Sequence, residues 1–122
     1  MKRKRILIVD DEARVAFFLM EGLKGLGNEY EVYTVASAEL ALEQFHHQPF
    51  DLAVIDYRLP GTSGLDLIKQ LKDISPTTQT IVVTAYGTPE LEDEAYRLHA
   101  YRYLAKPFHI EDLMYTVQEA LS

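Results

Sequence analysis

The sequence contains no cysteine. This absence excludes disulfides, thiolate catalysis and zinc sites built on cysteine, and it gives no sign of an oxidising compartment. Long apolar runs are missing as well, since none approaches the ~20 residues that a membrane span needs. The apolar run after the basic N-terminus extends only from Ile6 to Val9, which is too short for the core of a signal peptide. We therefore expect a cytoplasmic protein.

Positive charge is scarce. The sequence has 12 Lys and Arg residues and 19 Asp and Glu residues, which gives a formal net charge of -7. A domain with this excess of negative charge should be attracted neither to nucleic acid nor to an anionic membrane. The run from Lys2 to Arg5 could be a nucleic-acid patch, but short charge runs usually lie in solvent, so we interpret it as a solvated terminus. Linkers and repeats are lacking too, and the length predicts one domain over residues 1–122.

Short apolar runs and segments of helical period alternate along the chain. The apolar runs lie at 5–9, 31–36, 51–57, 80–85 and 101–105. Between them, apolar residues recur three and four apart, which is the spacing of one helix face. The residues predicted to face the core from the helices are Ala16, Leu19, Met20, Leu23, Leu26, Leu40, Ala41, Phe45, Leu67, Ile68, Leu71, Ile74, Leu91, Ala95, Leu98, Ile110, Leu113, Val117 and Leu121. This alternation predicts an α/β fold, a doubly wound (βα)5 parallel sheet of five strands covered on both faces.

Some helix boundaries are also predicted by residue type. Ser37 is a predicted N-cap for the second helix, and Thr88 followed by Pro89 predicts an N-cap with proline at the first helical position. The pair Gly27-Asn28 predicts the end of the first helix.

Polar residues follow four of the predicted strands at the point where each strand ends. Asp10 and Asp11 end the first in the stretch ILIVDDE, Asp56 ends the third, Thr84 ends the fourth, and Lys106 follows the fifth. Ligands of open parallel sheets bind outside the carboxyl ends of the strands, where the strand order reverses. We therefore expect these side chains to lie together, although they are distant in sequence.

Three carboxylates at one point would repel one another and raise one another's pKa values. A hard divalent cation relieves this repulsion, and Mg²⁺ prefers oxygen ligands while keeping several waters. The sequence therefore predicts a Mg²⁺ site where Asp10 and Asp11 meet Asp56.

Asp56 has a second role open to it, because a carboxylate oxygen can attack phosphorus and give an acyl phosphate. Phosphoryl transfer needs positioning and neutralisation of the phosphoryl oxygens more than it needs a general base. The Lys106 ammonium can supply one counter-charge and the Thr84 hydroxyl one hydrogen bond. We therefore predict that Asp56, Thr84 and Lys106 carry the catalysis of phosphoryl transfer to Asp56.

The chain resembles the receiver domains of two-component response regulators. The matching stretches are ILIVDDE, DLAVIDYRLPGTSGLDLI, IVVTAYG and YRYLAKPF, and the resemblance extends over essentially all 122 residues. It implies the flavodoxin-like strand order 2-1-3-4-5. One departure is His99, which stands where receivers commonly have glycine.

The resemblance implies a role for each matching position. Asp56 would be the phosphoacceptor and a metal ligand, Asp11 a direct Mg²⁺ ligand, and Asp10 part of the acidic pocket. The backbone carbonyl of Arg58 would complete the metal ligands of the protein. Tyr103 would be the aromatic switch residue that turns inward as Thr84 moves toward the phosphate. The resemblance also implies a cis Lys106-Pro107 bond.

The resemblance further implies partners for the chain. The phosphoryl donor would be a phosphohistidine on a sensor histidine kinase or a phosphotransfer protein. The fourth helix, fifth strand and fifth helix would form the surface that controls an output domain or a partner protein, or that forms a homodimer. We expect a protein that is not an enzyme toward other substrates, since it would catalyse only its own phosphorylation and slow dephosphorylation.

Three alternative functions fit the sequence less well. An aspartate-nucleophile phosphohydrolase typically has a second Asp two residues after the nucleophile, where this chain has Arg58. A flavin-binding carrier needs a phosphate-cradling loop of Ser, Thr and Gly after the first strand, where this chain has acids. A degenerate receiver used only for docking does not fit the intact set of Asp56, Thr84 and Lys106.

The residues two positions beyond Asp56 and Thr84 are bulky, namely Arg58 and Tyr86. The family to which the resemblance points tunes the lifetime of its aspartyl phosphate at these positions. We hypothesise that the two side chains screen the attacking water and make dephosphorylation slow.

Overall fold

The computed structural model describes residues 3–122 of the chain, which form one parallel five-stranded sheet flanked by helices. Lys2, part of the predicted solvated terminus, lies outside the described residues. The main elements are β1 (Lys4–Val9), α1 (Ala13–Lys24), β2 (Tyr30–Val35), α2 (Ala38–His47), β3 (Leu52–Asp56), α3 (Gly64–Ile74), β4 (Gln79–Thr84), α4 (Pro89–Arg97), β5 (Arg102–Ala105) and α5 (Ile110–Leu121). The predicted (βα)5 order is confirmed.

The strands lie in the order β2-β1-β3-β4-β5, and every neighbouring pair is parallel. The implied strand order 2-1-3-4-5 is therefore confirmed. The order reverses at β1 and β3, because the chain leaves β1 toward one edge and returns to build the other side of the sheet from β3. This reversal puts the carboxyl ends of β1 and β3 beside a crevice.

Each face of the sheet packs against its own layer of helices. Residues that alternate along β1 separate the two cores, since Ile6 and Ile8 pack with α1 and α5, and Leu7 and Val9 pack with α2, α3 and α4. All five residues of β3 are buried, as expected for a strand covered on both faces. Among the residues described, no helix combines the length and the apolar character needed to cross a membrane.

The predicted core faces of two helices are wrong at one residue each. Leu40 is 46% exposed, because α2 buries Ala38, Ala41 and Phe45, and Leu40 lies off that face. Ile74 is 48% exposed at the last residue of α3, beyond the buried Leu71.

The helix boundaries follow local chemistry. Ser37 and Thr88 accept hydrogen bonds from the backbone N–H groups of Leu40 and Leu91, so both predicted N-caps are confirmed. The first helix ends at Lys24, three residues before the predicted Gly27. His99 has a φ of 66° just after α4, so a residue in the left-handed conformation closes this helix. Glycine adopts that conformation most easily, which fits the glycine that receivers commonly have at this position.

Candidate functional site

The sheet register brings the predicted site residues to one edge. Val9 pairs with Ile55, Asp56 with Val83, and Thr84 with Ala105. Asp10 and Lys106 each follow the last residue of their strand, so they stand level with Asp56 and Thr84. This common height exists because parallel strands end on the same side of a sheet.

Three carboxylates form the acidic cluster of this edge, namely Asp10, Asp11 and Asp56. One oxygen from each lies within 4.8 Å of the others. Asp10 and Asp56 are buried, whereas Asp11 is exposed on the solvent side. Oxygen donors from three acids, one of them open to solvent, suit a hard cation that retains waters, so the donor set fits Mg²⁺.

Lys106 links two of these acids. Its Nζ donates to Oδ2 of Asp10 and to Oδ2 of Asp56, each over 3.4 Å. The side chain of Lys106 is only 17% exposed, so the two contacts are shielded from solvent. The Lys106-Pro107 peptide that follows is cis, as the resemblance implied.

The environment of Asp56 disfavours its charge. Burial raises the pKa of Asp56 above the ordinary 3.8, the Lys106 ammonium opposes this shift, and the negative charge of Asp10 adds to it. The backbone N–H of Arg58, which donates to Asp56 Oδ1 over 3.3 Å, also lowers the pKa. The net direction is upward because burial outweighs the positive charge of Lys106, so the charged form of Asp56 is poorly solvated at this edge.

The loop after β3 holds Asp56 in place. Arg58–Leu59 and Thr62–Ser63 form a short antiparallel hairpin. The backbone N–H of Gly64 then donates to the carbonyl of Tyr57. A Cβ on Gly64 would collide with the carbonyl oxygen of Asp56, so only glycine allows α3 to begin so close to the end of β3.

Two bulky side chains line the cleft beside Asp56 and contact each other. The guanidinium carbon of Arg58 lies 4.0 Å from the centroid of the Tyr86 ring, which is the geometry of a cation–π contact. The cleft has a volume of about 300 Å³, and its lining also includes Asp11, Asp56 and Lys106. The contact arises because β3 and β4 are neighbours and each residue lies two positions beyond a site residue.

Thr84 and Tyr103 lie on the other side of the site. Thr84 is fully buried, and its hydroxyl accepts a hydrogen bond from the backbone N–H of Tyr86 over 3.0 Å. The hydroxyl of Tyr103 is buried against Gly87 and has no hydrogen-bond partner among the residues described. Burial, and then the negative charge of Glu92, raise the pKa of Tyr103, so its hydroxyl stays protonated at neutral pH.

Comparison with known families matches residues 6–118 to the response regulator receiver domain. The chain belongs to this family. It is a receiver domain of two-component signalling systems, and the family resemblance seen in the sequence is confirmed.

The receiver domain is similar to one relative of about its own length and to another that is much longer. It is 31% identical over 121 residues to sporulation initiation phosphotransferase F of Bacillus subtilis, covering 99% of this chain and 96% of that protein. It is 35% identical over 117 residues to the transcriptional regulatory protein ZraR of Escherichia coli, covering 96% of this chain but 26% of that protein. The chain therefore spans about a quarter of the length of ZraR.

The fold also matches a solved structure. The CheY-like response regulator receiver domain protein of Methanospirillum hungatei superimposes with a TM-score of 0.88 at 31% sequence identity, covering 98% of this chain and 94% of that one. The flavodoxin-like fold predicted for the receiver domain is thereby confirmed.

The structure brings together every residue predicted for the site, including Arg58 in the cleft wall and Tyr103 beside Thr84. Their individual roles stay predictions. Sequence reasoning missed Gly64 and Gly87, each of which is required by a neighbour that approaches too closely for a Cβ. The only signal in the sequence was their place in the loops after β3 and β4.

Proposed function

We propose that the chain accepts a phosphoryl group on the carboxylate of Asp56 from a phosphohistidine of a sensor histidine kinase or a phosphotransfer protein. The observation that carries this proposal is the contact of Lys106 Nζ with both Asp10 and Asp56, 3.4 Å from each, within a cluster of three acids. Such a cluster attracts a divalent cation, and the lysine adds a fixed positive charge where phosphoryl oxygens would lie.

The transfer forms one bond and breaks another. An Asp56 carboxylate oxygen attacks phosphorus, the bond between phosphorus and the histidine nitrogen breaks, and the imidazole leaves with the electron pair. The Lys106 ammonium neutralises charge on the phosphoryl oxygens, and the Thr84 hydroxyl donates a hydrogen bond to one of them. No group has to remove a proton from the attacking carboxylate.

The reaction would need Mg²⁺. Asp10, Asp11, Asp56 and the backbone carbonyl of Arg58 would hold the ion, which supplies positive charge opposite the phosphoryl oxygens when bound. Burial supports this assignment, because it keeps the pKa of Asp56 raised although the Lys106 ammonium offsets the negative charge of Asp10, and a cation beside Asp56 would stabilise the carboxylate.

We also propose that the aspartyl phosphate is long-lived. Water would approach phosphorus through the cleft, and Arg58 and Tyr86, which line the cleft and contact each other, would obstruct that approach. The chain then acts only on itself and is not an enzyme toward other substrates, as the presence of Arg58 in place of a second Asp also suggests.

The output would be read on the surface of α4, β5 and α5, by an attached domain, a partner protein or a second copy of the chain. The acidic first turns of α4 and α5 and the ion pair of Arg102 with Glu119, 2.9 Å apart, give this surface a charged character. A net charge of -7 argues against direct binding of nucleic acid or membrane, and the cytoplasm is the compartment where kinase and receiver would meet.

The test is incubation with Mg²⁺ and phosphoramidate, followed by mass spectrometry of the intact protein. We expect a gain of one phosphoryl group in the wild type and in Asp73→Asn, which alters an exposed acid on α3, and no gain in Asp56→Asn or without Mg²⁺. Steady release of phosphate with no adduct would instead indicate a phosphohydrolase.

A further inference from the structure

Gly87 lies between Thr84 and Tyr103, in the short loop that joins β4 to the N-cap of α4. A Cβ built on Gly87 would coincide with the hydroxyl oxygen of Tyr103, would lie 3.0 Å from Cζ of the same ring, and would lie 3.4 Å from Cγ2 of Thr84. The first contact is impossible without movement, whereas the last is ordinary van der Waals contact.

The backbone does not require glycine at this position. The described glycines with positive φ are Gly27 and Gly61, and Gly87 is not among them. An alanine could therefore adopt the backbone conformation of Gly87, and the space taken by the Tyr103 hydroxyl is what excludes it. Glycine is needed here for the tyrosine and not for the turn.

Two opposing effects act on the partly buried Tyr103 ring. The ring packs against the core between the sheet and α2, α3 and α4, which favours the inward position. The hydroxyl is buried with no hydrogen-bond partner among the residues described, which disfavours it. The inward position is therefore weakly held, and a small steric change can decide it.

We propose that Gly87 is the positioning residue that admits the Tyr103 hydroxyl beside Thr84, and that any side chain at this position turns the ring outward. Its importance for signalling rests on the proposed function, since Tyr103 is the switch residue in that proposal. The steric relation itself involves only unphosphorylated protein.

The first test is ¹⁹F NMR of protein labelled with 3-fluorotyrosine, with lines assigned by Tyr103→Phe and Tyr115→Phe. A neutral gadolinium chelate in solution broadens the lines of exposed rings. We expect its effect on the Tyr103 line to rise several-fold in Gly87→Ala, toward that of Tyr115, which is 65% exposed. The control is Glu90→Ala, which removes an exposed side chain in the first turn of α4. An unchanged Tyr103 line in folded Gly87→Ala overturns the proposal.

The second test separates the contact from a general loss of folding. Gly87→Ala is introduced beside Tyr103→Ala, where there is no ring to displace. We expect the substitution to lower the melting temperature less in this background than in the wild type, and to leave the double variant folded even if Gly87→Ala alone is not. Equal losses in both backgrounds, or an unfolded double variant beside a folded Tyr103→Ala, overturn the proposal. Neither test uses a phosphodonor, so failure of Asp56 to accept phosphate leaves both results standing.

Discussion

At the scale of single residues, Asp56 is held in a place that opposes its own charge. It is 6% exposed and faces the second buried acid Asp10, and Lys106 is shared between the two. A buried carboxylate in this position is stabilised by a positive charge that binds beside it, because burial removes the water that would otherwise solvate it. The cost of that arrangement should appear in the stability of the metal-free protein.

We predict that Asp56→Asn raises the free energy of unfolding in the presence of a chelator. The folded-state pKa of Asp56 lies above 3.8, so the unfolded chain releases this proton first as the pH rises. Stability of the wild type therefore falls as the pH rises from 3.8 through the raised pKa, whereas Asn does not titrate. The excess stability of the variant should appear across that window and persist above it.

Urea unfolding between about pH 4 and about pH 8 measures this difference. Asp73→Asn, which changes an exposed acid, should show no such pH-dependent gain. A variant that is less stable than the wild type at neutral pH, or whose advantage is the same at all pH values, would contradict the assignment of the cost to Asp56.

Arg58 and Tyr86 act as a pair in the second residue-scale prediction. Arg58→Ala and Tyr86→Ala should each shorten the half-life of the aspartyl phosphate by about fivefold, as the loss of ~1 kcal/mol of cation–π contact implies. The half-life in the double variant should be little shorter than in either single variant, because removing one of the two side chains already removes their contact. The half-life is followed by mass spectrometry after removal of the phosphodonor.

The matched control for this pair is Arg14→Ala, which removes an exposed arginine of α1. It should leave the half-life unchanged. If both single variants also leave it unchanged, the two side chains do not screen the attacking water.

At the scale of elements, the start of α3 sets the position of Asp56. We predict that Gly64→Ala lowers the free energy of unfolding by about 1–3 kcal/mol, because the new Cβ meets the backbone of Asp56 and Tyr57, which cannot turn aside. The comparison is Gly22→Ala in α1, whose Cβ would overlap only the side chain of Ile110. That side chain can change its rotamer, and the gain of about 1 kcal/mol in helix propensity offsets part of the cost.

Urea unfolding of both variants measures the difference in their free energies of unfolding. Gly64→Ala should be the less stable of the two and should also accept less phosphoryl label in the same incubation time. Equal stability of the two variants would show that the loop after β3 can shift, so that it does not fix Asp56.

The elements and the main site residues were predictable from sequence, because each depends on a local pattern. Unbroken apolar runs such as Ile6–Val9 indicate strands covered on both faces, and polar residues at their ends indicate one edge of a parallel sheet. The order of the strands was not contained in those patterns and came from the family resemblance. Leu40 and Ile74 show the limit of periodicity, which marks a face to within one residue.

The contacts that arise between loops were not predictable, since they depend on distances of a few ångströms. Arg58 and Tyr86 each lie two residues beyond a site residue, but only the adjacency of β3 and β4 brings them into contact. In the same way, nothing in the sequence shows that Gly87 faces the hydroxyl of Tyr103.

At the scale of the whole molecule, the doubly wound fold collects acids at one edge of the sheet. Asp10 and Asp11 arrive on β1 and Asp56 on β3, and the crossover through α1, β2 and α2 separates them in sequence. Under the proposed binding of Mg²⁺, the stability of the domain would be linked to the occupancy of this edge by the ion. The linkage gives a prediction for the unfolding of the entire chain.

We predict that Mg²⁺ raises the melting temperature of the wild-type protein, since an ion that binds only the folded chain adds about 2.7 kcal/mol at a hundredfold excess over its dissociation constant. Asp11→Asn should lose most of this gain, because Asp11 is the acid of the cluster that is exposed to incoming ions. Glu21→Gln, which changes an exposed acid of α1, should retain the gain.

Differential scanning calorimetry with Mg²⁺ and with NaCl at equal ionic strength separates binding of the ion from screening of charges. The same rise with NaCl, or the same rise in Asp11→Asn, would mean that the acids of β1 and β3 do not bind the ion together.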